Sequence, residues 1–488
     1  MNDLLQIFAL LLIAYVSLGS LIAYFSRRYG VKSSKDYFVS GYKLGWFLAS
    51  MTYAATTYSA FMMVGLVGLT YSSGVGALGF ELAYLLVTVI LLAVLGPAVW
   101  AMARERKWVS PSEMLSDLYE SKLVGYATVT IYLVAMIPYV AAQIVGVAAM
   151  FESLGVGYEA GILVMSFLTL AWVVLAGMWS VATTDAYQGL WMLSAAILLV
   201  SLLLSQVIPS SGVTLNQVLE VLSERGLLGI TEFWTPQTFL AYTIPWIFFA
   251  ATNPQVVVRL YVHKDMHSFK KSVLLFSVFG FLYTIAVVFV GLLTRGLTEL
   301  GLFEVVSRSD LVTPTLVSRL HPVLASFIYI SILAAAVSTA NSIILTVASS
   351  FVRDLIERRG VSSVNVLKLS NTIVALLTIA SAYLAYTRLG FVVDLSVLTS
   401  VLLLPLAPVT IAAWLAPHKS RYGAPKKAAL LSLLVGTLTA FISALTLGPR
   451  KTFLTSYYGL PISAIILIMT SIIVFVGYTI PELKTRLK

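Results

Sequence analysis

The chain contains no cysteine, only four histidines, and few charges: Asp, Glu, Lys and Arg make up 11% of its 488 residues. Without cysteine there is no disulfide framework, thiolate metal site or cysteine nucleophile. The histidines, His263, His267, His321 and His418, all fall at the ends of apolar stretches or in loops. His263 and His267 have i,i+4 spacing around Asp265, but they sit in a lysine-rich loop rather than on a catalytic helix. An integral-membrane enzyme normally displays a metal or catalytic constellation, and none is seen here. A soluble domain is usually about a quarter charged. At 59% hydrophobic residues and mean hydropathy +0.94, this is a polytopic membrane protein. No Pro/Ser/Gly linker or run of charge separates two halves, so one continuous bundle is expected.

The apolar residues fall into thirteen stretches long enough to cross a bilayer, near 4–25, 45–72, 77–103, 123–152, 158–178, 182–207, 238–261, 271–297, 322–351, 366–388, 391–416, 427–447 and 457–480. The first follows Asp3 and precedes Arg27-Arg28, the reverse of a signal peptide's basic-then-apolar order, so it reads as a retained helix. Alternating sides from an outside N-terminus places 24 of the 31 basic residues inside. Among these are Arg27, Arg28, Lys32, Arg104, Arg106, Lys264, Lys270, Arg358, Arg359, Lys419 and Lys488. That bias predicts a multi-pass protein of the cell membrane, N-terminus outside and C-terminus cytoplasmic. It also explains the net charge of +10 through membrane topology, without a nucleic-acid partner. None of these features specifies an oligomeric state.

Two stretches carry a similar small-residue interruption: Ala54-Ala55-Thr56-Thr57-Tyr58-Ser59 in the second and Ala250-Ala251-Thr252-Asn253-Pro254 in the seventh. Non-helical backbone at membrane depth is tolerated only where protein buries it or a watery cavity meets it. Matching interruptions in two halves of opposite direction are what an inverted repeat of five spans each leaves behind. Pro245 and Pro254 bracket the second break, and Asn253 and Gln255 offer partners to loosened backbone there. Half-helix ends at the midplane expose carbonyls for a cation and N–H groups for an anion. In the ninth stretch, Ala334-Ala335-Ala336-Val337-Ser338-Thr339-Ala340-Asn341-Ser342 combines close helix approach with a hydroxyl pair. Those hydroxyls plus carbonyls of the second-span break would satisfy a hard monovalent cation.

Asp36-Tyr37-Phe38, Gly41, Leu44-Gly45-Trp46, Thr57-Tyr58-Ser59-Ala60 and Gly65-x-x-Gly68 resemble the sodium/solute symporter family, which includes a bacterial sodium/proline permease and a sodium/galactose transporter. Ala182-x-Thr184-Asp185, Gln188-Gly189, Pro254-Gln255 with Arg259, and Ala335-x-x-Ser338-Thr339-Ala340-x-Ser342 followed by Arg353-Asp354 continue the match in family order. The resemblance implies an all-α LeuT-type 5+5 fold and sodium-coupled import by alternating access, with a sodium ion and a small organic solute as partners. It divides the chain into an extra helix and loop (1–44), a first repeat (45–207), an outer loop (208–237), a second repeat (238–420) and two extra helices (421–488). Its sodium site would use the carbonyls of Ala55, Tyr58 and Ala335 and the hydroxyls of Ser338 and Thr339. Asp185 matches an acidic position on the family's ion-exit path.

For the solute, the same comparison draws attention to Trp246 and Pro254, which match a Trp and a Pro of the proline permease, and to Glu81, which matches a sugar-contacting Glu. Ser59, Asn253 and Gln255 complete the expected polar contacts. Met62 replaces a polar sugar contact, which argues against a sugar, and Thr57 replaces an acidic residue of the proline permease. Phe61, Met62, Met63, Phe80 and Tyr84 outline an apolar, aromatic-lined pocket, with Phe80 and Tyr84 as candidate gates. The reading is a sodium symporter for an amino acid such as proline or for a monocarboxylate. The competitor is a proton-coupled carrier on the same fold, in which Asp185 or Glu81 would titrate. A channel fits less well, since no filter-like repeat is present.

Overall fold

The computed structural model describes residues 2–30, 34–175, 177–355 and 363–486. Lys32, Arg358, Arg359 and Lys488, assigned above to the inner side, lie outside these residues. Helix dominates, as it must where no water is available to satisfy backbone polar groups. Among the described residues the only sheet is a small hairpin, Ser456–Tyr457 with Leu460–Pro461, just before the last helix.

All thirteen apolar stretches are helical, but they are not equivalent. Among the described residues nine helices are long and apolar enough to cross a membrane, or eleven when two bent pairs are each counted as one span. The fifth and seventh stretches account for the difference from thirteen. The fifth is the helix Tyr158–Leu175, which among the described residues counts only as a shorter apolar helix. The seventh is cut into Pro236–Ile247, Phe249–Thr252 and Pro254–Val257. Hydropathy registers apolar content, whereas a continuous helix also needs an amide proton at every turn, and Pro254 has none to give. Asn253, with extended φ/ψ of −84° and 119°, marks the interruption expected there.

The second stretch is broken as expected, into Trp46–Thr57 and Phe61–Ser73, inclined at 48°. Its cause is a set of diverted amides. The Ala60 N–H donates to Gln143 Oε1 at 3.0 Å and the Phe61 N–H to Ser59 Oγ at 3.1 Å. In a continuous helix those two protons would go to the carbonyls of Thr56 and Thr57. The eleventh stretch, read as one span, is also bent, Val392–Leu403 against Leu406–Leu415 at 52°, with Pro405 at the joint. The third is interrupted at Leu95 between Gly76–Val94 and Gly96–Arg106.

The ninth helix, Pro322–Leu355, occupies the centre, packed against the first (Asn2–Gly30), fourth (Lys122–Ser153) and sixth (Met178–Leu202). Its Ala334, Ala335 and Ala336 are fully buried, and side chains this small let neighbouring backbones approach. The first half of the second span packs on the sixth helix and on the eighth, Met266–Glu299. A Cβ at Gly280 of the eighth would lie 2.1 Å from the Tyr58 hydroxyl, and one at Gly68 would lie 2.2 Å from the Ser309 carbonyl oxygen. The segments flanking the two broken spans are tied by backbone bonds, Leu44 N–H to Val262 and Lys264 N–H to Leu44, each 3.0 Å. His263, between those partners, places Nε2 2.6 Å from Ser272 Oγ, and burial lowers its pKa to about 4, so it is neutral at pH 7. The helices Gly423–Leu447 and Ile462–Arg486 pack chiefly against each other.

Candidate ion and solute site

The break in the second span brings its loosened carbonyls to the hydroxyl pair of the ninth helix. Ser338 Oγ donates to the Ala55 carbonyl at 2.9 Å and to its own helix at Ala335 at 3.0 Å. Thr339 Oγ1 lies 3.3 Å from the Ala55 carbonyl and 3.4 Å from that of Thr56. Ala55, Ala335, Ser338 and Thr339 are wholly buried. Tyr58 leaves the helix at φ −90°, ψ 91°, and its ring stacks on Phe276 at 5.7 Å and Phe279 at 6.0 Å. Neutral oxygens converging at a helix break suit a small hard cation, which takes carbonyl and hydroxyl ligands.

A second cluster forms between the third and seventh stretches. Trp246 packs against Phe61 at 5.0 Å, Phe249 at 5.6 Å, and Phe80 and Tyr84 at 6.0 Å each. Glu81, 1% exposed, lies against this ring group. The Trp246 indole reaches towards its carboxylate, yet neither Trp246 Nε1 nor Glu81 Oε2 closes a hydrogen bond of good geometry. The hydroxyls of Tyr58, Tyr84 and Tyr139 are likewise buried without partners. Met62 is buried, and Ser59 turns its hydroxyl to the Phe61 N–H. Asn253 and Gln255 hydrogen-bond otherwise: Asn253 Nδ2 faces Thr252 Oγ1 at 3.3 Å, and Gln255 Nε2 faces Asn253 Oδ1 at 3.5 Å.

A family model described as the Sodium:solute symporter family matches residues 37–436, taking in both broken spans and the ninth helix. The chain belongs to the sodium:solute symporter family. A sodium/pantothenate symporter of Haemophilus influenzae is 23% identical over 351 residues, 70% of each chain. Sodium/proline symporter 2 of Staphylococcus saprophyticus is 23% identical over 357 residues, 71% of this chain and 67% of that one. The solved structure of a Na+-coupled sialic acid symporter superposes with a TM-score of 0.77 at 18% identity, over 97% of both chains. The fold is therefore the LeuT-type one expected. This symporter is a multi-pass membrane transporter, not an enzyme, and sodium is an ion it co-transports rather than a resident cofactor.

Beside these converging oxygens the symporter buries a complete ion pair. Arg259 Nη2 lies 3.1 Å from Asp185 Oδ2, with the two side chains 0% and 1% exposed. Arg259 also donates to Ser342 Oγ at 2.6 Å, to the Gln255 carbonyl at 2.6 Å and to Thr52 Oγ1 at 2.9 Å, while Thr52 donates to Asp185 at 2.5 Å. One guanidinium thus fastens the second, sixth, seventh and ninth elements together. From the sequence Arg259 was a family match and one of the 24 inside charges, whereas its side chain is buried in the protein, and nothing singled out Thr52 or Gln143. A lone arginine and a lone glutamine inside apolar spans were the available signals.

Proposed function

We propose that this symporter uses the sodium gradient to import a small organic solute, an amino acid such as proline or a monocarboxylate, by alternating access. The N-terminus lies outside and the C-terminus in the cytoplasm, and the five-span repeats 45–207 and 238–420 move against each other between the flanking segments 1–44 and 421–488. Sodium is held by the carbonyls of Ala55, Tyr58 and Ala335 and the hydroxyls of Ser338 and Thr339. The observation that carries this is the aim of the Ser338 and Thr339 hydroxyls at the Ala55 carbonyl across a helix break, at 2.9 and 3.3 Å. A hydroxyl that donates to a carbonyl there can rotate its proton away and present a lone pair to the ion beside that same carbonyl.

The ion bridges the second span and the ninth helix, so its binding favours conformations in which the two touch. Differential affinity of this kind is what couples ion to conformation. The solute occupies the neighbouring aromatic cluster, with Ser59, Met62, Glu81 and Trp246 in contact and Asn253 and Gln255 at the second break. Phe80 and Tyr84 gate one side, and the Arg259–Asp185 pair closes the ion's way out on the other. A proton-coupled carrier is the second reading. Asp185 is already held by Arg259, so the carboxylate left to take a proton is Glu81, whose Oε2 has no partner.

Uptake into proteoliposomes, with a sodium gradient, a proton gradient or neither, tests these readings with labelled amino acids, carboxylates and sugars. Sodium-stimulated uptake is expected, and Ser338→Ala combined with Thr339→Ala abolishes most of it. An unchanged sodium affinity in that double variant refutes the ion site. Flux driven by protons alone transfers the assignment to Glu81.

A further inference from the structure

We propose that Glu81 is the anionic half of a subsite for a protonated amine, so that the solute this symporter carries bears an ammonium group. The inference rests on the reading above that the aromatic cluster receives the solute, and narrows that solute's class. Its first support is a carboxylate without a cationic counterpart. Glu81 Oε2 is buried and has no hydrogen-bond partner. None of the salt bridges among the described residues includes Glu81, whereas Asp185 has its arginine. An unpaired carboxylate away from water costs several kcal/mol, and an ionisable residue placed inside a span marks a functional site.

The walls say what kind of counterpart fits. The carboxylate faces Trp246, the central ring of a cluster with Phe61, Phe80, Tyr84 and Phe249. Ring faces attract cations and cannot serve as oxygen ligands, so they favour an organic ammonium over a strongly hydrated metal ion. The hydroxyls of Tyr58, Tyr84 and Tyr139 lie close enough to Glu81 to interact with its charge; those of Tyr58 and Tyr84 are without a partner, and that of Tyr139 has Ser59 nearby. An ammonium's hydrogens can be shared among those oxygens and Oε2, beside the Trp246 N–H that already points towards the carboxylate. A monocarboxylate lacking nitrogen could accept from the tyrosine hydroxyls, but it would set its own negative charge beside Glu81 and leave Oε2 without a donor.

Binding to the purified full-length protein, followed by its thermal midpoint in sodium and in potassium buffer, tests this with two shape-matched pairs. L-proline is compared with cyclopentanecarboxylate and L-alanine with isobutyrate. At least one amine is expected to stabilise the protein in sodium, with its nitrogen-free partner weaker by about a hundredfold or more, as for buried polar sites that lose a hydrogen-bonding group. Glu81→Gln should lose the amine response but keep the sodium-induced shift measured without solute, and Glu81→Asp should retain a weaker preference. The proposal is overturned if a nitrogen-free partner binds as well as its amine, if Glu81→Gln keeps the preference, or if sodium registers and neither amine does. An amine response equally strong in potassium would instead sink the sodium reading and leave this one standing.

Discussion

Arg259 and Asp185 are the residues on which most depends outside the proposed ion site. Each is a charge removed from water, tolerable because the other is 3.1 Å away and hydroxyls fill the remaining positions. Removing one partner strands the other, which costs about 3–5 kcal/mol, whereas removing both is often far less damaging. Asp185→Asn should therefore lower the unfolding midpoint in detergent sharply, and adding Arg259→Gln should restore part of it. A double variant as unstable as the two single losses summed would mean that the pair does not interact. At this scale residue type and position marked Ser338 and Thr339, and the family resemblance marked Ala55 and Glu81. It could not show that Glu81 Oε2 closes no hydrogen bond while Asp185 is held by Arg259 and Thr52, because a side chain's partners come from other helices.

The helix breaks are the decisive elements, and they differ in how openly they were written. Pro254 announced the break in the seventh stretch because a missing amide proton is a local fact. The second span has no proline within Ala54–Ser59, and its break is held by Gln143 reaching from the fourth helix to the Ala60 N–H. Pro405 was an equally local sign of the bend in the eleventh stretch, masked by the apolar residues around it. Close packing fixes where these pieces sit. A methyl at Gly68 would meet the Ser309 carbonyl at 2.2 Å, so Gly68→Ala should destabilise by about 1–3 kcal/mol through overpacking. At Gly45, where an added Cβ meets nothing within 4 Å, alanine should change stability by no more than about 0.5 kcal/mol. Denaturation of both variants in detergent checks the contrast, and equal stability of the two would show that the 298–321 loop does not bear on the second span.

For the whole molecule, the open property is direction. The bias of Lys and Arg predicts that the 208–237 loop faces outward and the 417–426 loop inward. The chain has no cysteine, so it adds no labelling of its own beyond the introduced residue. On intact cells a membrane-impermeant maleimide should modify Ser223→Cys, whereas His418→Cys should react only after permeabilisation. The opposite pattern would invert the transporter. By itself, the sequence determined the solvent, the approximate span count, the interruptions and the oxygen-rich ninth helix, since hydropathy and backbone hydrogen bonding are decided within a few residues. Tertiary structure alone decided that the hydroxyls of Ser338 and Thr339 face the Ala55 carbonyl, that Arg259 neutralises Asp185, and that Glu81 faces Trp246 while its Oε2 closes no hydrogen bond. Those relations join residues up to hundreds of positions apart, and only the packing of helices, which depends on all the interfaces together, brings them within a few ångströms.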